Sequence, residues 1–180
     1  MRRLARGALL LMVALGLAGC VKVVDDLDTV LYESQAGEFE IRVPTEWQAE
    51  PLATLISGVK FTTTAAGGNT LRFWVLFGPA SGRTANEIID DIESLRALLV
   101  ESGTTLSDWS QEADISKTID GLSGREVAYA ATVSGWDVLG LAWAVTDGTH
   151  DYVILAEAGS GVYNDFEGDF IDAVASFSRI

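Results

Sequence analysis

The run "VLGLAWAV", residues 138–145, restricts the folds open to this chain more than any other stretch. Read as a strand, it puts Leu139, Leu141 and Trp143 on one face and Val138, Gly140 and Ala142 on the other, and both faces are apolar. Such a strand cannot turn either side to water, so the sheet that contains it must be covered twice. Similar runs surround it: "EADISKTI", "GREVAYAATV" and "DYVILAEA", punctuated by Gly121, Gly135 and Asp147-Gly148 at meander spacing. The segment from Trp109 to Glu157 therefore reads as successive antiparallel strands.

The covering layers come from either side of this segment. Ile88, Ile92, Leu95 and Leu99 repeat every three or four residues, which predicts one α-helix between Thr84 and Glu101. Thr84 and Glu87 form a capping box at its start, and Gly103 follows its last turn. The end of the chain, "SGVYNDFEGDFIDAVASF", spaces Tyr163, Phe166, Phe170, Val174 and Phe177 in the same way, with Asp165, Asp169 and Asp172 opposite; it predicts a closing amphipathic helix over 161–176. Ahead of these, "TVLYES" and "EFEIRVP" read as a hairpin, and "GVKFTTTA" and "TLRFWVLFG" as another around Gly67-Gly68-Asn69. Between the two hairpins, "PTEWQAEP" offers Thr45 as an N-cap and Trp47 as an apolar anchor, its prolines limiting any helix to about a turn. The expected fold is α+β, an α/β/α sandwich around an antiparallel sheet.

The first residues belong to a different physical regime. Arg2, Arg3 and Arg6 precede an uncharged run from Ala8 to Leu17, well short of the ~20 apolar residues that span a bilayer, so the segment reads as a targeting signal. Leu17-Ala18-Gly19-Cys20 resembles the lipobox of bacterial lipoproteins, in which the Cys thiol is acylated and becomes the new N-terminus. The resemblance implies residues 1–19 as a cleaved signal peptide, Cys20 as the lipidation site and 20–28 as a tether, open between a disordered link and an edge strand. A single domain then covers 29–180. It also implies a cell-envelope location on the extracytoplasmic side: the outer membrane is favoured in a Gram-negative cell, since Val21 is not an aspartate, and the outer face of the cytoplasmic membrane in a Gram-positive one. Removing the three leader arginines leaves nine basic against 26 acidic residues, a net charge of −17. That excess argues against nucleic acid as a partner, and membrane contact is expected through the lipid alone. With its one cysteine acylated, the chain has no disulfide and no thiol nucleophile.

The residues Phe39, Ile41, Pro44 and Trp47 of "FEIRVPTEW", the meander ending in "YVILAEA" and the Ser176-Phe177 finish together resemble the PsbP-like family, which includes LpqN-type lipoproteins and the extrinsic PsbP subunit of photosystem II. The resemblance spans about residues 30–180 and rests on packing positions. It implies an accessory or interaction module with an envelope protein as partner, not an enzyme, and it carries over no functional residue.

Chemistry-bearing motifs are sparse. His150, the one histidine, falls in a predicted turn with no "G-x-S-x-G" or "H-E-x-x-H" pattern to accompany it. "GSG" at 159–161 lacks a P-loop lysine, and the acids at Asp25, Asp26 and Asp28 or Asp165, Glu167, Asp169 and Asp172 lack EF-hand spacing, so no cofactor or metal is expected. Of the five tryptophans, Trp109 and Trp136 lie nearest predicted turns and are the candidates for lining a pocket. Two function classes follow: a non-catalytic interaction module, or a carrier of a small apolar ligand held between sheet and helix.

Overall fold

The computed structural model describes residues 19–22, 28–52, 56–64, 70–100 and 104–180. The signal segment up to Ala18 and the Gly67-Gly68-Asn69 turn lie outside the described residues, as do Asp25 and Asp26. The elements in chain order are β1 (Gly19–Lys22), β2 (Thr29–Ser34), β3 (Phe39–Pro44), β4 (Gln48–Pro51), β5 (Ser57–Thr64) and β6 (Thr70–Pro79). Helices α1 (Ala85–Ile89) and α2 (Ile92–Leu98) follow, then β7 (Leu106–Gln111), β8 (Ile115–Ile119), β9 (Leu122–Val133), β10 (Trp136–Thr146), β11 (His150–Gly159), α3 (Tyr163–Ala175) and β12 (Ser178–Arg179).

Eight strands form one antiparallel sheet in the order β4-β5-β6-β11-β10-β9-β7, with β8 also pairing β9. A smaller sheet, β1-β2-β3-β12, lies apart from it. The alternation in β10 resolves as its sequence demands. Leu141, Trp143 and Val145 join a core shared with the small sheet and α3, while Ala142 and Ala144 meet α1 and α2 through Ile88, Ile89 and Ile92. The large sheet is thus covered on both faces, one by α1 and α2 and the other by α3 with the small sheet.

Residues far apart in sequence tie the small sheet down. Phe39 stacks on Phe177 with ring centroids 5.6 Å apart, and Trp47 packs on Phe73 at 5.3 Å and on Phe170 at 6.0 Å. The Arg42 amide donates to Ser176 Oγ at 2.8 Å, and the Tyr152 hydroxyl donates to the Gly37 carbonyl at 3.0 Å. The packing positions at the two ends of the domain therefore meet in one cluster.

Three local expectations change. The helix expected between Thr84 and Glu101 is two helices, although its capping box is present. The Glu87 carbonyl, which a continuing helix would give to the Asp91 N–H, accepts from the Arg83 guanidinium instead, and the Asp91 N–H turns to Ile88 O at 3.2 Å. Arg83 also holds the Asp91 carboxylate at 2.7 Å, so the chain bends between two aspartates that favour helix ends over interiors. The helical turn expected at "PTEWQAEP" is a tight turn, with the Trp47 N–H donating to Pro44 O at 3.0 Å, followed by β4. Pairing with the open edge of β5 satisfies more backbone groups than a single helical turn. Strand structure also begins earlier than Trp109, at Leu106, where β7 pairs β9 with a register shift between Ser107 and Ser110. In the tether region, Gly19–Lys22 pairs antiparallel with β2, placing Cys20 opposite Glu33.

Candidate functional site

Antiparallel register sets four residues in a row across the large sheet, one from each of four neighbouring strands. Tyr129 on β9 pairs with Gly140 on β10, Gly140 with Glu157 on β11, and Glu157 with Arg72 on β6. This row lies on the face that α1 and α2 cover. Gly140 makes the row work, because a Cβ at that position would fall 2.3 Å from Cζ of Tyr129. Without that carbon, the Tyr129 ring leans over the β10 backbone and its hydroxyl donates to Glu157 Oε2 at 3.2 Å.

Arg96 descends on this row from α2. Its position follows from helical spacing within α2, since Ile92 and Arg96 are four apart and share the buried face. The guanidinium is only 2% exposed and Glu157 is fully buried. Nε donates to Glu157 Oε2 and Nη2 to Oε1, both at 2.7 Å, a bidentate fork. Arg72 adds a contact from Nη1 to Oε1 at 3.3 Å. The Arg96 guanidinium also stands 4.9 Å from the centroid of the Trp74 ring, and the Trp109 ring stacks on Tyr129 at 4.6 Å with 17° between planes. Burial works against the Arg96 charge, but the hydrogen bonds and charge of Glu157 outweigh it and raise its pKa. Burial, and then the negative charge of Glu157, push the Tyr129 phenol well above the ordinary tyrosine value, so it remains a donor. Arg96 Nη1 is buried and has no hydrogen-bond partner in the protein.

Beside this cluster opens a cleft of about 370 Å³, bounded by β4, β5 and β6 on one side and by α2 with Leu99, Val100 and Thr104 on the other. Lys60, Arg72 and Arg96 line it, with Glu50 paired to Lys60 at 3.1 Å. Its apolar wall includes Leu52, Trp74, Leu99 and Val100. A broader cleft of about 870 Å³ adjoins it through Arg72, Thr104 and Val133 and reaches the turn at Gly159–Gly161.

The residues singled out from sequence fall in separate places. Trp136 is 72% exposed at the β9–β10 hairpin and lines the broader cleft, whereas Trp109 is half-buried on Tyr129. His150 sits at the β10–β11 turn, with Nδ1 4.0 Å from the Glu38 carboxylate and its ring 5.8 Å from that of Tyr152. Gly159–Gly161 forms the turn from β11 into α3. Among the described residues, no group of three or more His, Cys, Asp or Glu side chains is placed to hold a metal. Sequence reasoning missed Arg96 and Glu157. The available signals were an arginine on the apolar face of a predicted helix and an acid that follows Val153 and Leu155 on one face of a central strand.

A two-faced antiparallel sheet covered by helices on one side and by a helix with a small sheet on the other is a PsbP-like fold. The chain shares it with the solution structure of cyanobacterial PsbP (CyanoP) from Synechocystis sp. PCC 6803, with a TM-score of 0.61, 12% identity and coverage of 87% of this chain and 95% of that one. It shares it also with LpqN of Mycobacterium tuberculosis, described as involved in cell envelope biogenesis, with a TM-score of 0.55, 11% identity and coverage of 78% and 82%. A protein of unknown function from Pseudomonas aeruginosa, PA94, described as a putative regulator, matches with a TM-score of 0.52, 13% identity and coverage of 82% and 94%. No family model matches the sequence, and no curated protein matches it.

Proposed function

We propose that this chain is a lipid-anchored domain of the cell envelope that acts by binding and not by catalysis. The observation that carries the reading is the order Leu17-Ala18-Gly19-Cys20 behind a charged start and a short apolar run, immediately ahead of a PsbP-like domain. The involvement of LpqN, a protein of the same fold, in cell envelope biogenesis supports the location. Among the described residues no helix is long and apolar enough to cross a membrane; in this reading the attachment is the lipid on Cys20. Cys20→Ala should convert a membrane-bound form into an uncleaved or soluble precursor. If the variant still sediments with membranes after a carbonate wash, the anchor reading fails.

A second reading is favoured by the cleft beside Trp74, whose volume of about 370 Å³ falls within the range of small-molecule sites. In that reading the domain presents a ligand at the membrane surface, and Trp136 on the rim of the adjoining cleft is a further contact.

A further inference from the structure

We propose that the cleft between α2 and strands β4 to β6 binds a small organic acid, a carboxylate on a short apolar body, with Arg96 and Arg72 holding the carboxylate. The inference rests on the ligand-binding reading and is independent of the anchor. Its first support is the state of the Arg96 guanidinium. A guanidinium presents its donors in a fixed fork, and Glu157 consumes the Nε and Nη2 edge. The other edge includes Nη1, which is buried and donates to no protein partner. A charged donor left in that condition is costly, and the two-donor edge has the geometry that a carboxylate fills.

The second support is charge. The chain as a whole carries −14, yet among the described residues this cleft is lined by two arginines, Arg72 and Arg96, that share one carboxylate, Glu157. Two guanidiniums that share one carboxylate leave a positive charge to attract an anion. The third is shape and lining. Leu52, Trp74, Leu99 and Val100 supply an apolar wall next to the cations, which suits a ligand polar at one end only. About 370 Å³ lies near the low end of the ~300–1,000 Å³ typical of such pockets, so it accommodates a compact acid and not a two-chain lipid.

Calorimetric titration of the full chain in detergent, with micelle-only blanks, tests this using hexanoate, hexan-1-ol and hexyl phosphate. Hexanoate should bind saturably at one site, and hexan-1-ol roughly tenfold or more weakly, because it cannot take both donors. Arg72→Gln and Arg96→Lys should each weaken hexanoate by a similar factor, the lysine keeping the charge but losing the fork. Thermal melts identify a variant that has failed to fold, and if Arg96→Lys is such a variant, Arg72→Gln decides. Equal binding of hexanoate and hexan-1-ol would overturn the acid while leaving an apolar-ligand site in place. Absence of binding by every probe would overturn both, tighter binding of hexyl phosphate would overturn the carboxylate assignment, and indifference to the folded variants would remove the site from this cleft.

Discussion

Arg96 and Glu157 each bring a charge out of water, and their attraction offsets the desolvation only because the fork is bidentate and Tyr129 and Arg72 satisfy further lone pairs of the carboxylate. Removing one partner is therefore far worse than removing both. Glu157→Ala should cost about 3–5 kcal/mol in urea denaturation, since it leaves the arginine buried and uncompensated. Combining Glu157→Leu with Arg96→Leu should cost much less than the two single changes added together. Additive losses would show that the two charges do not act as a unit. Each residue stands out in the sequence as a polar group at an apolar position, Arg96 after Ile88 and Ile92, Glu157 after Val153 and Leu155. Their pairing was not legible, because they are 61 residues apart and only the sheet order brings β11 beneath α2.

At the scale of elements, β10 is shaped by what it omits. Its neighbours in register at Gly140 are Tyr129 and Glu157, and they meet across the space a side chain would fill. Gly140→Ala places a carbon 2.3 Å from the Tyr129 ring and 2.6 Å from the Ala156 carbonyl, neither of which is a flexible chain end. The variant should lose about 1–3 kcal/mol, as overpacked cores do, and its near-ultraviolet circular dichroism should change as the stack of Trp109 on Tyr129 is disturbed. An unchanged spectrum and stability would mean that the row relaxes without strain. Periodicity located the strands of the meander, the capping box at Thr84 and the closing helix, since each is a local pattern. It missed the bend after α1 because Arg83, outside the helix, takes a helix carbonyl, and it missed β4 because pairing with β5 is a tertiary event.

For the molecule as a whole, buried phenols govern the response to alkali. Burial, as the leading cause, raises Tyr129 and Tyr163 and pushes Tyr152 up to about 12. In the unfolded chain these groups ionise near ~10, so their contribution to stability is complete below that pH and declines as pH rises above it. The urea midpoint should therefore fall steeply above about pH 10, and Tyr129→Phe should make the fall shallower. A midpoint that stays level to pH 12 would contradict the burial of these rings. The three-layer arrangement itself was legible from the apolar faces of β10 and from Phe39, Trp47 and Phe177, which meet as packing partners. The cleft was not, because its walls come from β4 to β6 and from α2 with Leu99, Val100 and Thr104.

The large sheet does not close on itself, so its outer strands carry a hazard that closed barrels escape. A free strand edge is a template on which another molecule can continue the sheet. β4 offers only four residues and ends at Pro51, which has no amide hydrogen to give. β7 breaks its own line where the register slips between Ser107 and Ser110, with Asp108 at a φ of 51°. Neither β4 nor β7 presents a long straight row of donors and acceptors, and along these two strands copies held at high local concentration are discouraged from pairing edge to edge.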